Sequence, residues 1–168
     1  IQPKFGTLTS SDGKTSLYYK LYKPENIAPG KKYPVIVNVY GGPHAQLVTN
    51  NWQGADITQY MLQQGYIVFQ LDNRGSNYRG TAFEFPIYEK LGEVEVDDQI
   101  TGVKYLHSLE FVDKKNPNII FLENLEFKVF ERFINYANIN ISCHSGSLVQ
   151  LTGFNKAKCI DIINKKMK

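Results

Sequence analysis

The apolar residues of this chain fall into two kinds of run. "VIVNVY" at 35–40 and "YIVFQL" at 66–71 are almost continuously apolar. A strand covered on one face alternates, whereas a strand covered on both does not, so these two runs predict central strands of a parallel sheet at Val35–Tyr40 and Tyr66–Leu71. "SLYYKLY" at 16–22 mixes Leu and Tyr with Ser and Lys on alternating positions and predicts a half-buried strand. The Ser11-Asp12-Gly13 turn before it predicts an antiparallel hairpin leading into the sheet.

Two stretches carry helical spacing instead. Ile57, Tyr60, Met61 and Leu62 recur on one face, with Gly65 placed to cap the C-terminus. Val96, Ile100, Val103 and Leu106 mark a longer helix whose start is crowded with acids. Strand, helix, strand, loop, helix is the order of an α/β sheet with right-handed crossovers. From about Asn116 the character changes: glycine becomes sparse, while asparagine and isoleucine become frequent. Leu122, Leu125, Phe130 and Phe133 still keep helical spacing and predict one more amphipathic helix. The chain therefore divides into residues 1–115 and a different region at 116–168.

Composition narrows this picture. With 168 residues, 42% of them hydrophobic and 21% charged, the chain is long enough for one sizeable core and too short for two. The formal net charge is only +3, and apart from the final "NKKMK" the lysines are dispersed, which argues against nucleic acid as a main partner. Cys143 and Cys159 lack the spacing of a zinc site or a disulfide framework, so no metal and no cofactor is expected. No run approaches the roughly 20 apolar residues of a membrane span. The N-terminus shows no signal-peptide pattern, and Ile1 in place of Met fits a chain that starts within a longer protein.

In an α/β sheet, ligands bind beyond the carboxyl ends of the strands, and two unusual loops fall there. They are "YGGPH" at 40–44 and "DNRGSNYRG" at 72–80. Glycines 41 and 42 permit a close backbone approach, and Tyr40 is placed to extend a phenol over the rim as a donor to a developing oxyanion. The plainer alternative is a tight turn with Tyr40 capping the core. Neither glycine fingerprint for phosphate or dinucleotide binding is present. Asp72 and Arg74 read as residues that hold their loop by hydrogen bonds rather than touch substrate. Asp97 and Asp98 are adjacent and so lie on different helix faces, which favours first-turn acids over a paired-carboxylate or metal site. His44 and His107 read as surface or packing histidines.

Three strings, "KKYPVIVNVYGGPHAQLV", "QGYIVFQLDNRGSNYRGTAFE" and "KLGEVEVDDQITGVKYLHSLEFVD", occur in this order and spacing. Together they resemble the start of the catalytic domain of the prolyl oligopeptidase family, in particular its dipeptidyl peptidase IV branch, from about Phe5 to Asp113. The resemblance implies a serine peptidase with a partial α/β-hydrolase fold, in which the sheet is mainly parallel with an antiparallel hairpin at its start. It also implies that Tyr40 supplies one half of the oxyanion hole, and that the substrate of the intact relative is a peptide, cleaved after an N-terminal Xaa-Pro or Xaa-Ala pair.

After "FVD" the pattern departs. The family continues with a short strand and a Gly-Trp-Ser-Tyr-Gly-Gly elbow that carries the nucleophile; this chain reads "KKNPNIIFLENLEF" and contains no G-x-S-x-G. "CHSGS" at 143–147 lacks the first glycine of an elbow. His144 is also the last histidine, so no base follows Ser145 or Ser147 in the serine, acid, histidine order of this fold. The expectation is a peptidase domain truncated before its nucleophile and inactive as this chain, with residues from about Asn116 an out-of-frame or intron-derived continuation. The alternative is a divergent, non-catalytic interaction module on the same scaffold.

Overall fold

The computed structural model describes residues 1–114 except Gln53 and Ala55, together with the backbone of three later strands. The elements are β1 (Lys4–Thr9), β2 (Ser16–Tyr22), β3 (Val35–Val39), α1 (Ile57–Gln63), β4 (Ile67–Leu71), α2 (Thr81–Glu84), a 3-10 turn (Phe85–Ile87), α3 (Val94–Ser108), β5 (Ile119–Leu122), β6 (Ile139–Cys143) and β7 (Lys158–Ile162). The described strands form one sheet in the order β1-β2-β4-β3-β5-β6-β7. β1 pairs antiparallel with β2, and β2 antiparallel with β4; every later pairing is parallel. This is the α/β architecture expected from the sequence, with the hairpin on one flank of the parallel strands.

Alternation along the strands assigns each face. Leu17, Tyr19 and Leu21 of β2, Val35, Val37 and Val39 of β3, and Ile67, Phe69 and Leu71 of β4 join Val96 and Leu106 of α3 in the main core. Ile36 and Val68 point the other way and pack with Tyr22, Tyr66 and Met61 of α1. Helices thus cover both faces, which is why β3 and β4 read as unbroken apolar runs. Asp56 caps α1 by accepting from the backbone N–H groups of Thr58 and Gln59, and Gly65 closes the helix with a φ of 86°.

Two expectations need correction. β2 is not half-buried along its length: Lys20 is 1% exposed, lying between Phe5 of β1 and Gln70 of β4 on a face that was expected to meet water. Flanking strands on both sides bury it. The helical spacing read from Leu122 also gives way, because Leu122 closes β5, a strand paired in parallel with β3. Leu125, Phe130, Phe133, His144, Ser145 and Ser147 lie outside the described residues. Among the described residues, no helix is long and apolar enough to cross a membrane.

Candidate active site

β3 and β4 run parallel, so the loops that follow them leave the sheet at one rim, and hydrogen bonds tie them together there. Asn73 Nδ2 donates to the Gly41 carbonyl at 3.4 Å, and the Asn77 N–H donates to the Ala45 carbonyl at 3.2 Å. Asp72 Oδ1 accepts from the Leu47 N–H at 2.8 Å, and Oδ2 from the Val48 N–H at 3.1 Å. The chain after "YGGPH" is therefore fastened to the end of β4.

Tyr40 stands one residue past the end of β3, half-buried. Gly41 adopts a φ of 77°, a left-handed conformation that lets the chain turn directly after the tyrosine. A Cβ on Gly42 would come within 3.1 Å of the Tyr40 ring, so this glycine leaves room for the phenol. Among the described residues the Tyr40 hydroxyl has no hydrogen-bond partner. His44 follows, exposed and with a φ of 59°. His107 is exposed near the end of α3, away from this turn in the chain.

The first part of the second loop, residues 72–76, is buried and held by hydrogen bonds. Arg74 donates from Nε to Asp98 Oδ2 at 2.8 Å and from Nη2 to Asp98 Oδ1 at 2.9 Å, a two-pronged ion pair. Its own N–H also donates to Asp98 Oδ2 at 3.0 Å, while Nη2 reaches Ser11 Oγ at 2.8 Å and Nη1 reaches Asp12. The hydrogen bond that Arg74 donates to Asp98 raises the Arg74 pKa despite burial. One side chain thereby joins the β4 loop, the start of α3 and the β1–β2 turn. Asp98 is fully buried while Asp97 is exposed, so the two acids do not act as a pair. The expected separation by helix face holds, but Asp98 is an ion-pair partner rather than a first-turn acid serving the helix dipole.

Burial pushes Asp72 above the usual carboxylate range, opposed by the Leu47 and Val48 N–H groups and by the charge of Lys20. Burial likewise pushes Glu95 up, opposed by the Gly92 N–H, and its Oε2 has no partner among the described residues. Gln99 Nε2 donates to the Leu71 carbonyl and to Asn73 Oδ1, both at 2.9 Å, and so holds Asn73 beneath the Gly41 turn. Sequence reasoning passed over Asn73 and Gln99. The signal was present: Gln99 lies three residues after Val96, on the buried stripe of α3, where a polar side chain needs a partner.

Residues 52–120 match the prolyl oligopeptidase family. Dipeptidyl peptidase 8 of Homo sapiens is 43% identical over 114 residues, covering 66% of this chain and 13% of that protein. Among solved structures, a candidate dipeptidyl aminopeptidase IV from Bacteroides ovatus ATCC 8483 gives a TM-score of 0.76 at 40% identity, covering 84% of this chain and 21% of that one. Porphyromonas gingivalis dipeptidyl peptidase 4 gives 0.73 at 26% identity, covering 84% and 20%. The chain thus spans a small part of the proteins it matches, and its sheet is a partial α/β-hydrolase fold. The family match extends past Asp113 to residue 120, into β5, where the short strand before the elbow is expected. In residues 52–120 and in its fold, the chain is similar to the prolyl oligopeptidase family.

Proposed function

We propose that the described residues form the oxyanion side of a serine-type dipeptidyl peptidase catalytic domain, with Tyr40 as one oxyanion donor. We propose further that this chain, which has no G-x-S-x-G, does not hydrolyse peptides by itself. The observation that carries the first part is the Tyr40 phenol: it stands at the carboxyl end of a central strand, on a turn shaped by Gly41 and Gly42, with no partner for its hydroxyl among the described residues. A donor already oriented in a partly dry site stabilises charge that develops on a carbonyl oxygen, typically by about 3 kcal/mol of barrier.

The second part rests on what the donor lacks. An oxyanion hole stabilises an intermediate that a nucleophile must first create, and a serine hydroxyl without a base is a weak nucleophile. Purified chain is expected to release no chromophore from a Gly-Pro amide. Release that a serine-directed phosphonate abolishes would overturn the inactive reading.

One observation favours the second reading, a non-catalytic interaction module. Tyr78, Phe85 and Tyr88 are large, exposed and close in sequence, as side chains that meet a partner are. The genomic sequence after the codon for Asp113 separates the two. A frame encoding the serine elbow there supports the peptidase lineage interrupted in this chain, and a clean continuing frame without an elbow supports the module.

A further inference from the structure

Beside the Tyr40 turn lies a cavity of about 420 Å³. Pro43, His44, Glu84, Ile87, Glu89 and Leu91 are among the residues that line it. This volume lies within the ~300–1,000 Å³ of ligand pockets. Phe85 and Tyr88, which also line it, stack with ring centroids 5.0 Å apart and planes at 17°, yet are 60% and 61% exposed. Each ring covers the other's inner face, and the exposed outer faces are open to a ligand.

The groove is built rather than incidental. Gly75 of the "DNRGS" loop forms part of its wall and donates its N–H to the Phe83 carbonyl at 2.8 Å. Ile87 packs so closely on Gly75 that a Cβ there would come within 2.3 Å of it. Ile87 is thereby fixed to the loop that also fastens the Tyr40 turn. Two of the polar lining residues have strained, non-glycine backbone, His44 at a φ of 59° and Glu89 at 56°, the kind of strain that concentrates where ligands bind.

We propose that this groove binds a peptide segment that carries a cationic side chain beside an apolar one. Among the described residues, neither Glu84 nor Glu89 has an ion-pair partner. Arg79 does not serve them: it donates to the Ser16 carbonyl and lies over the Tyr18 and Phe83 rings. A guanidinium laid on the outer face of one ring of the Phe85–Tyr88 pair would gain that π face and the nearby carboxylates, while an apolar neighbour packs against Ile87 and Leu91. Continuity with the Tyr40 turn through Pro43 and His44 places the occupant next to the proposed oxyanion donor. That the occupant is a peptide rests on the peptidase reading; the cation and apolar preferences rest on the groove itself.

The test titrates the full 168-residue chain with the blocked peptide acetyl-Ala-Arg-Phe-Ala-amide and follows the ring resonances of His44 and Tyr88 by NMR. Saturable shifts at both are expected. Replacing Arg by Glu in the probe, or Glu84→Gln with Glu89→Gln in the protein, should each weaken binding by about threefold or more, the scale of an exposed ion pair joined to a cation–π contact. Tyr88→Ala should weaken it by about fivefold, and the carboxamide pair, being on the surface, tests the same site if that variant folds poorly. Tyr40→Phe should leave the affinity unchanged, so failure of the oxyanion role and failure of the groove are separately visible. Shifts that do not saturate, equal affinity for the Arg and Glu probes, or self-association that Tyr88→Ala abolishes would each overturn the proposal, the last by assigning the face to a second copy of the chain.

Discussion

The two loops that leave the parallel strands at the shared rim are built in opposite ways. After β4, Asp72, Asn73, Arg74 and Ser76 are each more than nine-tenths buried, and Asp72, Asn73 and Arg74 together hold the Tyr40 loop, α3 and the β1–β2 turn. After β3, Pro43 and His44 are exposed and the Tyr40 hydroxyl has no internal partner among the described residues. A donor committed to an internal hydrogen bond is not available to a developing charge; one left unpaired on a rigid base is. The β4 loop supplies the rigidity, and the β3 loop holds the group left free.

If this division is right, its largest break comes at Arg74. Arg74→Ala leaves Asp98, a fully buried carboxylate, without its ion-pair partner. Removing one partner of a buried pair costs about 3–5 kcal/mol, a large share of the stability of a domain this size. Urea unfolding should show that loss, and a cost below about 1 kcal/mol would mean that the network does not hold the rim. Gly75→Ala should come next. Its φ of 96° excludes an ordinary side chain, and the added Cβ would meet Ile87 at 2.3 Å. A loss of about 2 kcal/mol is expected from strain and overpacking together. Groove resonances, those of Phe85 and Tyr88, should move more than those of Tyr40; the opposite order would separate the groove from the loop.

These two residues also mark what could be read in the chain. β3 and β4 were legible as unbroken apolar runs between loops and α3 from its long helical period; α1 was legible as a helix, although Ile57 and Tyr60 of its expected apolar face are exposed. The placing of both loops at one rim followed from parallel pairing alone. The Arg74–Asp98 pair was legible only in part, since sequence shows a charged residue in a loop and another in a helix but not the depth of either. Lys20 was misread for a related reason. Alternation tells which face a side chain takes, and not whether a neighbouring strand and the chain above it cover that face. Leu122 was misplaced because a four-residue apolar run fits a helix turn and a short strand equally well.

Lys20 provides the third test, with an effect of opposite sign. Its side chain is buried, and the ammonium lies 6.0 Å from the centre of the Tyr22 ring. Opposite it in the β2–β4 register is Gln70, whose Oε1 has no partner among the described residues. Burial lowers the Lys20 pKa from its usual value near 10.5, opposed by the charges of Asp72 and Asp56. The folded state thus binds the proton less tightly than the unfolded chain, so stability rises with pH between the lowered folded value and 10.5. Lys20→Met should therefore stabilise the domain at pH 7, by on the order of 1–3 kcal/mol, the scale of a polar group taken out of water. The gain should shrink as pH approaches 10. A destabilising substitution, or a gain independent of pH, would show that Lys20 has a partner that supports its charge.

The smallest expected effect on stability is at Tyr40, and it decides most about the rim. A phenol that caps the core would lose a buried contact or hydrogen bond on becoming phenylalanine, at a net cost of about 1 kcal/mol. A phenol kept free for an oxyanion has no such bond to lose, and the ring that packs beside Gly42 is unchanged by the substitution. Tyr40→Phe should accordingly leave the melting temperature of this chain within measurement error of the parent. Catalysis is the complementary half of the test, and it needs a version in which the family's serine elbow and triad are restored. There the same substitution should lower turnover by about a hundredfold or more while substrate binding changes little, because the lost hydrogen bond forms only as charge develops on the oxygen. A stable protein with unimpaired turnover would remove Tyr40 from the chemistry, leaving Gly41 and Gly42 as the makings of a tight turn.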